Sequence, residues 1–345
     1  MRVVHSDSHE RHHPKHFLVN GAVQDSPEVP ERARRLAEAA RDAGHEFISP
    51  RAVGRGPVAA VHSPEYLQFL EHIVPRWRRI EGASDEVIPN VHPQGRWPAS
   101  YPASAVGQAG FHQADTACPI SEGTWEAAVA SAEIAVTAAQ LVAEGAPCAF
   151  ALCRPPGHHA YTDMAGGFCF LNNCAIAAQW LRDHGYARVA ILDVDVHHGN
   201  GTQGIFWSRG DVLTVSVHAD PGRFYPFFWG HAHERGAGDG LGCNLNLPLA
   251  RGTDTKGFLD ALDAGFKRIR AFQPDALVLA LGLDAHEGDP LKGLAVTTDG
   301  FAGIAAAIAG LGLPTVLVQE GGYLQDALGA NLASFLGGFE RARGE

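Results

Sequence analysis

The six cysteines, at positions 118, 148, 153, 169, 174 and 243, contain no C-x-x-C pair and lie mostly among apolar or small residues. That excludes a disulfide framework or thiolate metal knuckle and points to reduced, buried thiols in a cytoplasmic protein. No apolar run reaches the roughly 18 residues needed to span a bilayer, so no membrane partner is expected. The opening Met1-Arg2-Val3-Val4-His5-Ser6 lacks a signal-peptide hydrophobic stretch and reads as a first strand. Basic charge is scarce, with 27 Lys and Arg against 38 Asp and Glu and a net charge of −11. This argues against nucleic acid and mildly favours cationic substrates. No repeat or linker composition divides the chain, and 46% apolar content suffices for a large core. One domain over residues 1–345 is therefore expected.

What is present is an alternation of strands and helices. The patterns predict helices over 30–43, from Ser63-Pro64 to before Pro75, from a Thr124 cap to near Gly145, and from an Asn172 cap to His184-Gly185. Further helices are read over 255–272, from Asp299, and at the C-terminus. Continuous apolar strands are read at 148–153, in a central run from Ile191, and at 212–218, 276–281 and 314–319. This order predicts an α/β protein with a parallel sheet covered on both faces. Ligands in such sheets bind beyond the carboxyl ends of the strands. Between about 81 and 123 the periodicity is lost among prolines 89, 93, 98, 102 and 119. A loop of that length suggests a lid, a site rim or a subunit contact.

Four strand ends finish in reactive residues. The central run Ile191–Gly201 carries Asp193, Asp195 and His197 at every second position, so strand alternation sends all three to one face. The strand at 148–153 exits through Arg154-Pro155-Pro156-Gly157 to His158 and His159. The strand at 276–281 leads to Gly282-Leu283-Asp284, and the last strand to Glu320-Gly321-Gly322-Tyr323. Each motif alone also reads as loop hydrogen bonding or as residues on the surface; together they read as one site. Asp195, His197 and Asp284 could hold a divalent ion with a position open for water, which the ion would acidify. A neutral histidine could accept the water proton, and Tyr323 could donate to a developing oxyanion. With no convincing serine or cysteine nucleophile, the expected reaction is amide hydrolysis without a covalent intermediate.

At these residues the sequence resembles the zinc-dependent histone deacetylase family, and within it the bacterial acetylpolyamine amidohydrolases. The matching motifs are Arg154–His159, Gly166-Gly167-Phe168-Cys169-Phe170-Leu171-Asn172-Asn173, Asp193–Gly201, Leu281–Pro290 and Glu320–Tyr323. They span about 120–340, in family order. The resemblance implies an arginase-like three-layer α/β/α sandwich with an eight-stranded parallel sheet. It implies zinc (or iron) on Asp195, His197 and Asp284, and His159 as general base with His158 as its electrostatic or acid partner. Tyr323 becomes the oxyanion donor, Asp193 orients His158, and Asn200 contacts His159. Phe168, Tyr225, Gly167 and Leu291 are implied at the substrate tunnel. A potassium or sodium ion is implied at Asp193, Asp195, the His197 carbonyl, Ser216 and the Val217 carbonyl. The implied substrate is a small cationic acetylated amine, and the 81–123 insertion builds a homodimer and narrows the entrance. Two departures bear on the substrate: Val106 stands at the place of an acid near the polyamine channel, and Leu291 at that of a glutamate in some relatives. Asp115 could substitute.

Three rivals share parts of this pattern. A binuclear manganese ureohydrolase needs further aspartates where this chain has Gly199 and His286. A protein-lysine deacetylase would share the whole core. A non-catalytic binder would require loss of a ligand or of Tyr323, and none is lost. The irregular tract His5, His9, His12, His13 and His16 reads as an exposed N-terminal loop, with the rim of the site as second choice. Phe227, Phe228 and Trp229 suit the mouth or a loop underside, while Trp125 and Trp180 are read as core.

Overall fold

All five residues of Val189–Asp193 are buried, and so are all of Ala276–Leu281 and Thr315–Gln319. Such uninterrupted apolar strands have helices on both faces. The computed structural model describes residues 1–95 and 99–344; Pro98, read in the irregular segment, lies outside the described residues. The strands are β1 (Arg2–Val4), β2 (His16–Val19), β3 (Ala22–Asp25), β4 (Glu46–Ile48), β5 (Cys148–Ala151), β6 (Val189–Asp193), β7 (Val212–Ala219), β8 (Asn244–Leu249), β9 (Ala276–Leu281) and β10 (Thr315–Gln319). The helices are α1 (Pro30–Asp42), α2 (Gly56–Ala59), α3 (Pro64–Trp77), α4 (Ala105–His112), α5 (Thr124–Ala143), α6 (Asn173–Asp183), α7 (Asn200–Phe206), α8 (Thr255–Phe272), α9 (Thr298–Ala309) and α10 (Leu328–Arg343).

Eight strands form one sheet in the order β4-β1-β5-β10-β9-β6-β7-β8, with β2 and β3 a separate hairpin. Every pair in the large sheet is parallel. The α/β class read from the residue patterns and the eight-stranded sheet implied by the resemblance are both found. Side-chain alternation divides the core. Ala149, Ala151, Ala280 and Val316 face the alanines of α5 and α6, whereas Phe150, Leu279 and Leu317 face α1, α8, α9 and α10. Small sheet residues opposite α5 let that alanine-rich helix approach closely. The four strands ending in the reactive motifs, β5, β10, β9 and β6, are consecutive neighbours at the centre of the sheet.

Several expectations are corrected. Strand β6 ends at Asp193, so Asp195 and His197 lie on the loop beyond it. Helix α3 runs through Pro75 to Trp77. The proline falls in the last turn, where its missing amide forfeits one bond, and buried Trp77 anchors the end by donating to Ser84 O at 3.1 Å. Gly123, with φ of 81°, precedes α5 as its cap, and Thr124 is the first helical residue. The 81–123 segment is not structureless: it contains α4, and Val87 bridges Ile120. Trp125 and Trp180 are half-buried rather than core. Contrary to the expectation from run lengths, α5 is long and apolar enough to cross a membrane; 72% of its apolar stretch is buried inside the fold, as in a core helix.

Candidate active site

Asp195, His197 and Asp284 are brought together by the β6 and β9 exits, their potential ligand atoms all lying within 4.8 Å of one another. Both carboxylates are fully buried. Asp195 Oδ1 accepts from the His197 amide at 2.9 Å, and Asp195 Oδ2 accepts from Gly321 N at 2.8 Å. Asp284 Oδ1 accepts from Val196 N at 3.0 Å. Asp284 Oδ2 lies 3.3 Å from His197 Nδ1 yet has no partner in hydrogen-bonding geometry. Burial, and then the neighbouring Asp195, push the Asp284 carboxyl up to about 6. Burial opposes a charged His197, but its hydrogen bond to Asp195 and the neighbouring Asp284 carboxylate outweigh this and lift it to about 9. Two acids crowded this closely call for positive charge between them.

The backbone around the cluster is cut away. A Cβ on Gly321 would stand 2.1 Å from Asp284 Oδ2, and one on Gly282 would stand 2.3 Å from Asp195 Oδ2. Only glycine lets the β9 and β10 exits approach the carboxylates this closely. An orphaned buried oxygen, an oxygen–nitrogen donor set and this cradle fit a divalent metal ion.

The tandem histidines stand beside the cluster, their ring centroids 4.0 Å apart, but in opposite electrostatic settings. His158 Nδ1 lies 2.9 Å from Asp193 Oδ2. Burial works against its charge, but Asp193 and Asp195 prevail and raise it well above the ordinary imidazole value. His159 Nδ1 lies 2.6 Å from the neutral Asn200 Oδ1. Burial, and then His158 and His197, push His159 well down. Glu320 Oε2 holds the turn by accepting from the amides of Gly157 at 2.6 Å and His158 at 3.0 Å.

Above them opens a cavity of about 340 Å³ whose walls include Phe168, Gly167, Tyr225, Leu291, Phe224 and Tyr323, with Phe17–Asn20 of the β2–β3 hairpin. The four residues expected at a substrate tunnel all lie in its wall. Of the exposed aromatic trio, Phe227 lines the cavity, and Phe228 and Trp229 are 80% and 47% exposed. Asp115 reaches the wall from the 81–123 segment, accepting from Tyr225 Oη at 2.6 Å and Gly167 N at 3.1 Å. Val106 is not in the wall; it packs half-buried against the core. Of the five residues expected around a monovalent cation, Asp193 and Ser216 are paired across β6 and β7 and line one small void. Asp195, His197 and Val217 are not among the residues lining it.

Sequence reasoning missed the support beneath Tyr323. Arg32 of α1 donates to Gly322 O at 2.6 Å and to Glu320 O at 2.8 Å, and its guanidinium lies 4.6 Å from the Tyr323 ring centre. Glu28 Oε1 accepts from both Arg32 at 2.7 Å and Arg154 at 2.8 Å. In sequence Glu28, ahead of the helix predicted from Pro30, and Arg32 look like ordinary exposed charges; the only hint is Pro30, which places Arg32 in the first turn. Glu28 is completely buried, so Glu28→Ala would strand two buried guanidinium groups. We expect a loss of about 3–5 kcal/mol in stability by denaturant unfolding; a loss under about 1 kcal/mol would show that the cations are otherwise compensated.

The fold and this constellation define a metal-dependent hydrolase class, and comparison agrees. A model of the histone deacetylase domain matches residues 26–339, and the chain belongs to that family. It is 50% identical over 334 residues to the acetylpolyamine amidohydrolase of Burkholderia pseudomallei, covering 96% of this chain and 97% of that one. It is 38% identical over 287 residues to a histone deacetylase-like amidohydrolase of Pseudomonas aeruginosa, covering 77% and 74%. The crystal structure of acetylpolyamine aminohydrolase from B. pseudomallei superposes with a TM-score of 0.96 at 48% identity, covering 99% of both chains.

Proposed function

We propose that this chain removes acetyl groups from acetylated polyamines or diamines, with Asp195, His197 and Asp284 holding zinc (or iron). The observation that carries the reading is the buried Asp-His-Asp cluster, which reaches the wall of a mostly apolar cavity through His197 and is flanked by one charged and one neutral histidine. A divalent ion bound there acidifies a water and polarises an amide carbonyl. Neutral His159 accepts a proton from the attacking water. His158, held charged by Asp193, supplies positive charge beside the reacting atoms and a proton for the departing amine. Tyr323, whose hydroxyl stays protonated because burial raises it well above 10, donates to the carbonyl oxygen as charge develops there.

The apolar walls suit an alkyl chain, and among the described residues Asp115 is the one carboxylate lining the cavity. Together with the net charge of −11, it favours a cationic amine. A potassium or sodium ion beside Asp193 and Ser216 belongs to the same reading. The test is a panel of acetylputrescine, acetylcadaverine and acetyl-lysine peptides on metal-quantified protein. Faster turnover of the diamines is expected; preference for the peptides would transfer the assignment to lysine deacetylation.

The Asn200 contact gives a pH prediction. In Asn200→Asp a carboxylate replaces the neutral partner of His159 and raises its pKa by about 1–3 units. Because a base with a raised pKa becomes protonated at higher pH, the acid limb of kcat/KM moves upward. An unmoved limb would remove His159 as the titrating base.

A further inference from the structure

We propose that His5, Asp7 and His9 form a second divalent-metal site at the carboxyl end of β1, suited to a borderline ion such as Zn²⁺, Ni²⁺ or Cu²⁺. The expectation of an exposed histidine tract is corrected here. His9 is only 4% exposed and His12 only 1%, and the His5 side chain is 8% exposed, whereas His13 and His16 are exposed. The single helical turn at Asp7–Arg11, capped by Ser6, folds this stretch back on itself. It places potential ligand atoms of His5, Asp7 and His9 within 4.8 Å of one another.

The partners of the histidines separate them. His12 is satisfied, with Nδ1 2.9 Å from Thr124 Oγ1 and Nε2 3.4 Å from Glu28. His9 Nδ1 is buried and has no hydrogen-bond partner; His5 Nδ1 is likewise buried and unpaired, whereas His5 Nε2 is the nitrogen that faces Asp7. Buried ring nitrogens seldom go unpaired without a use. Their rings are 5.3 Å apart between centres and tilted by 45°. Burial lowers His5, and burial followed by Arg154 brings His9 down to about 4, so both are neutral, ligand-ready imidazoles at neutral pH.

Asp7 completes the set from the solvent side, its carboxylate 94% exposed and 3.5 Å from His5 Nε2. Neighbouring ligands on a tetrahedral zinc ion stand about 3.3 Å apart. The exposed aspartate is free to swing and close the wider gap. Two neutral nitrogens and one carboxylate leave a position for water and favour a borderline metal over calcium or magnesium. Arg154 shares the one Glu28 carboxylate with Arg32, so its charge is felt at His9, and the carboxylates of Glu10 and Asp7 oppose it there. Arg154 also donates to His9 O at 2.6 Å, joining the site to the strand exit that carries His158 and His159.

The test uses tag-free, metal-stripped chain carrying Asp284→Ala, which removes one of the three ligands read at the catalytic cluster, and follows zinc against substitutions at His5 and Asp7. Equilibrium dialysis against Zn²⁺ should give one ion per chain. Adding Asp7→Asn should weaken that ion roughly tenfold or more, and adding His5→Phe should release it. Asp7 is too exposed for its substitution to disturb the core, so that arm stands even if His5→Phe misfolds. Zinc binding that ignores both substitutions, or no binding by the Asp284→Ala chain, would overturn the site. Loss of this site leaves the proposed hydrolysis untouched, because His5, Asp7 and His9 take no part in it.

Discussion

Asp284→Ala should lose the catalytic ion, and with it hydrolysis, while its metal-free form becomes no less stable than the metal-free parent. The two expectations have opposite signs and come from one geometry. Losing an outer partner of a metal ligand typically lowers affinity about 10–100-fold, and losing a ligand costs more. Asp284 Oδ2 is the orphaned oxygen of the cluster, and no other described carboxylate replaces it among the three grouped ligands. Without an ion the same carboxyl is a burden. It is wholly buried beside Asp195, and its pKa is raised to about 6. An acid raised on folding costs stability above its unfolded value of about 4, and that cost grows as pH rises through the folded value. Removing it lifts the burden above about pH 6, partly offset by the unpaired Val196 amide and the cavity left behind. Asp284→Asn keeps the volume and isolates the charge. Metal content by mass spectrometry, with thermal unfolding of the stripped proteins at pH 7.5, reads both effects. The parent's full metal stoichiometry in Asp284→Ala, beyond the one ion expected at His5, Asp7 and His9, would remove the residue from the ligand set; a large loss of metal-free stability in Asp284→Asn would make it a structural carboxylate.

The parts of this molecule legible in sequence are those whose signal is local. The strand β9 and the run into Asp284 could be read because apolar continuity and a following glycine lie within a few residues. Helix α6 announced itself through Asn172, whose side chain accepts from Ala175 N. Alternation correctly joined Asp195 to His197, although β6 stops at Asp193 and the loop beyond carries the pattern by its own hydrogen bonds, Asp195 N to Asp193 and His197 N to Asp195. Long-range placements were not legible. Nothing near Arg32 reveals that it reaches Glu320 and Gly322, nearly the full chain away. Nor does the composition around Asp115 reveal its bond to Tyr225. The N-terminal histidines were misread because polar residues without periodicity resemble a solvated loop, whereas a single capped turn buries His9. Edge strands β4 and β8 were missed because Glu46–Ile48 is short and Asn244–Leu249 contains a proline, which sequence reading demotes.

Tyr323→Phe should lower kcat by about 10²–10³, equivalent to about 2.7–4 kcal/mol of lost transition-state stabilisation, while metal content stays at the parent level. The ring is fixed independently of its hydroxyl. The Tyr323 amide donates to Asp289 Oδ2 at 2.9 Å, Arg32 stands over one face, and Phe168 meets it edge-on at 5.9 Å between ring centres. Removing one oxygen therefore leaves the packing in place. Burial keeps the phenol protonated far above neutral pH, against the pull of Arg32, so the group acts as a donor and its deletion should not shift the pH profile. If the hydroxyl bound the ground-state carbonyl as strongly as the developing oxyanion, KM would rise and kcat would hold. A fall in kcat at nearly constant KM identifies the donor as specific to the transition state. Unchanged turnover, with the metal retained, would leave Tyr323 as a wall of the cavity and require another donor for the oxyanion.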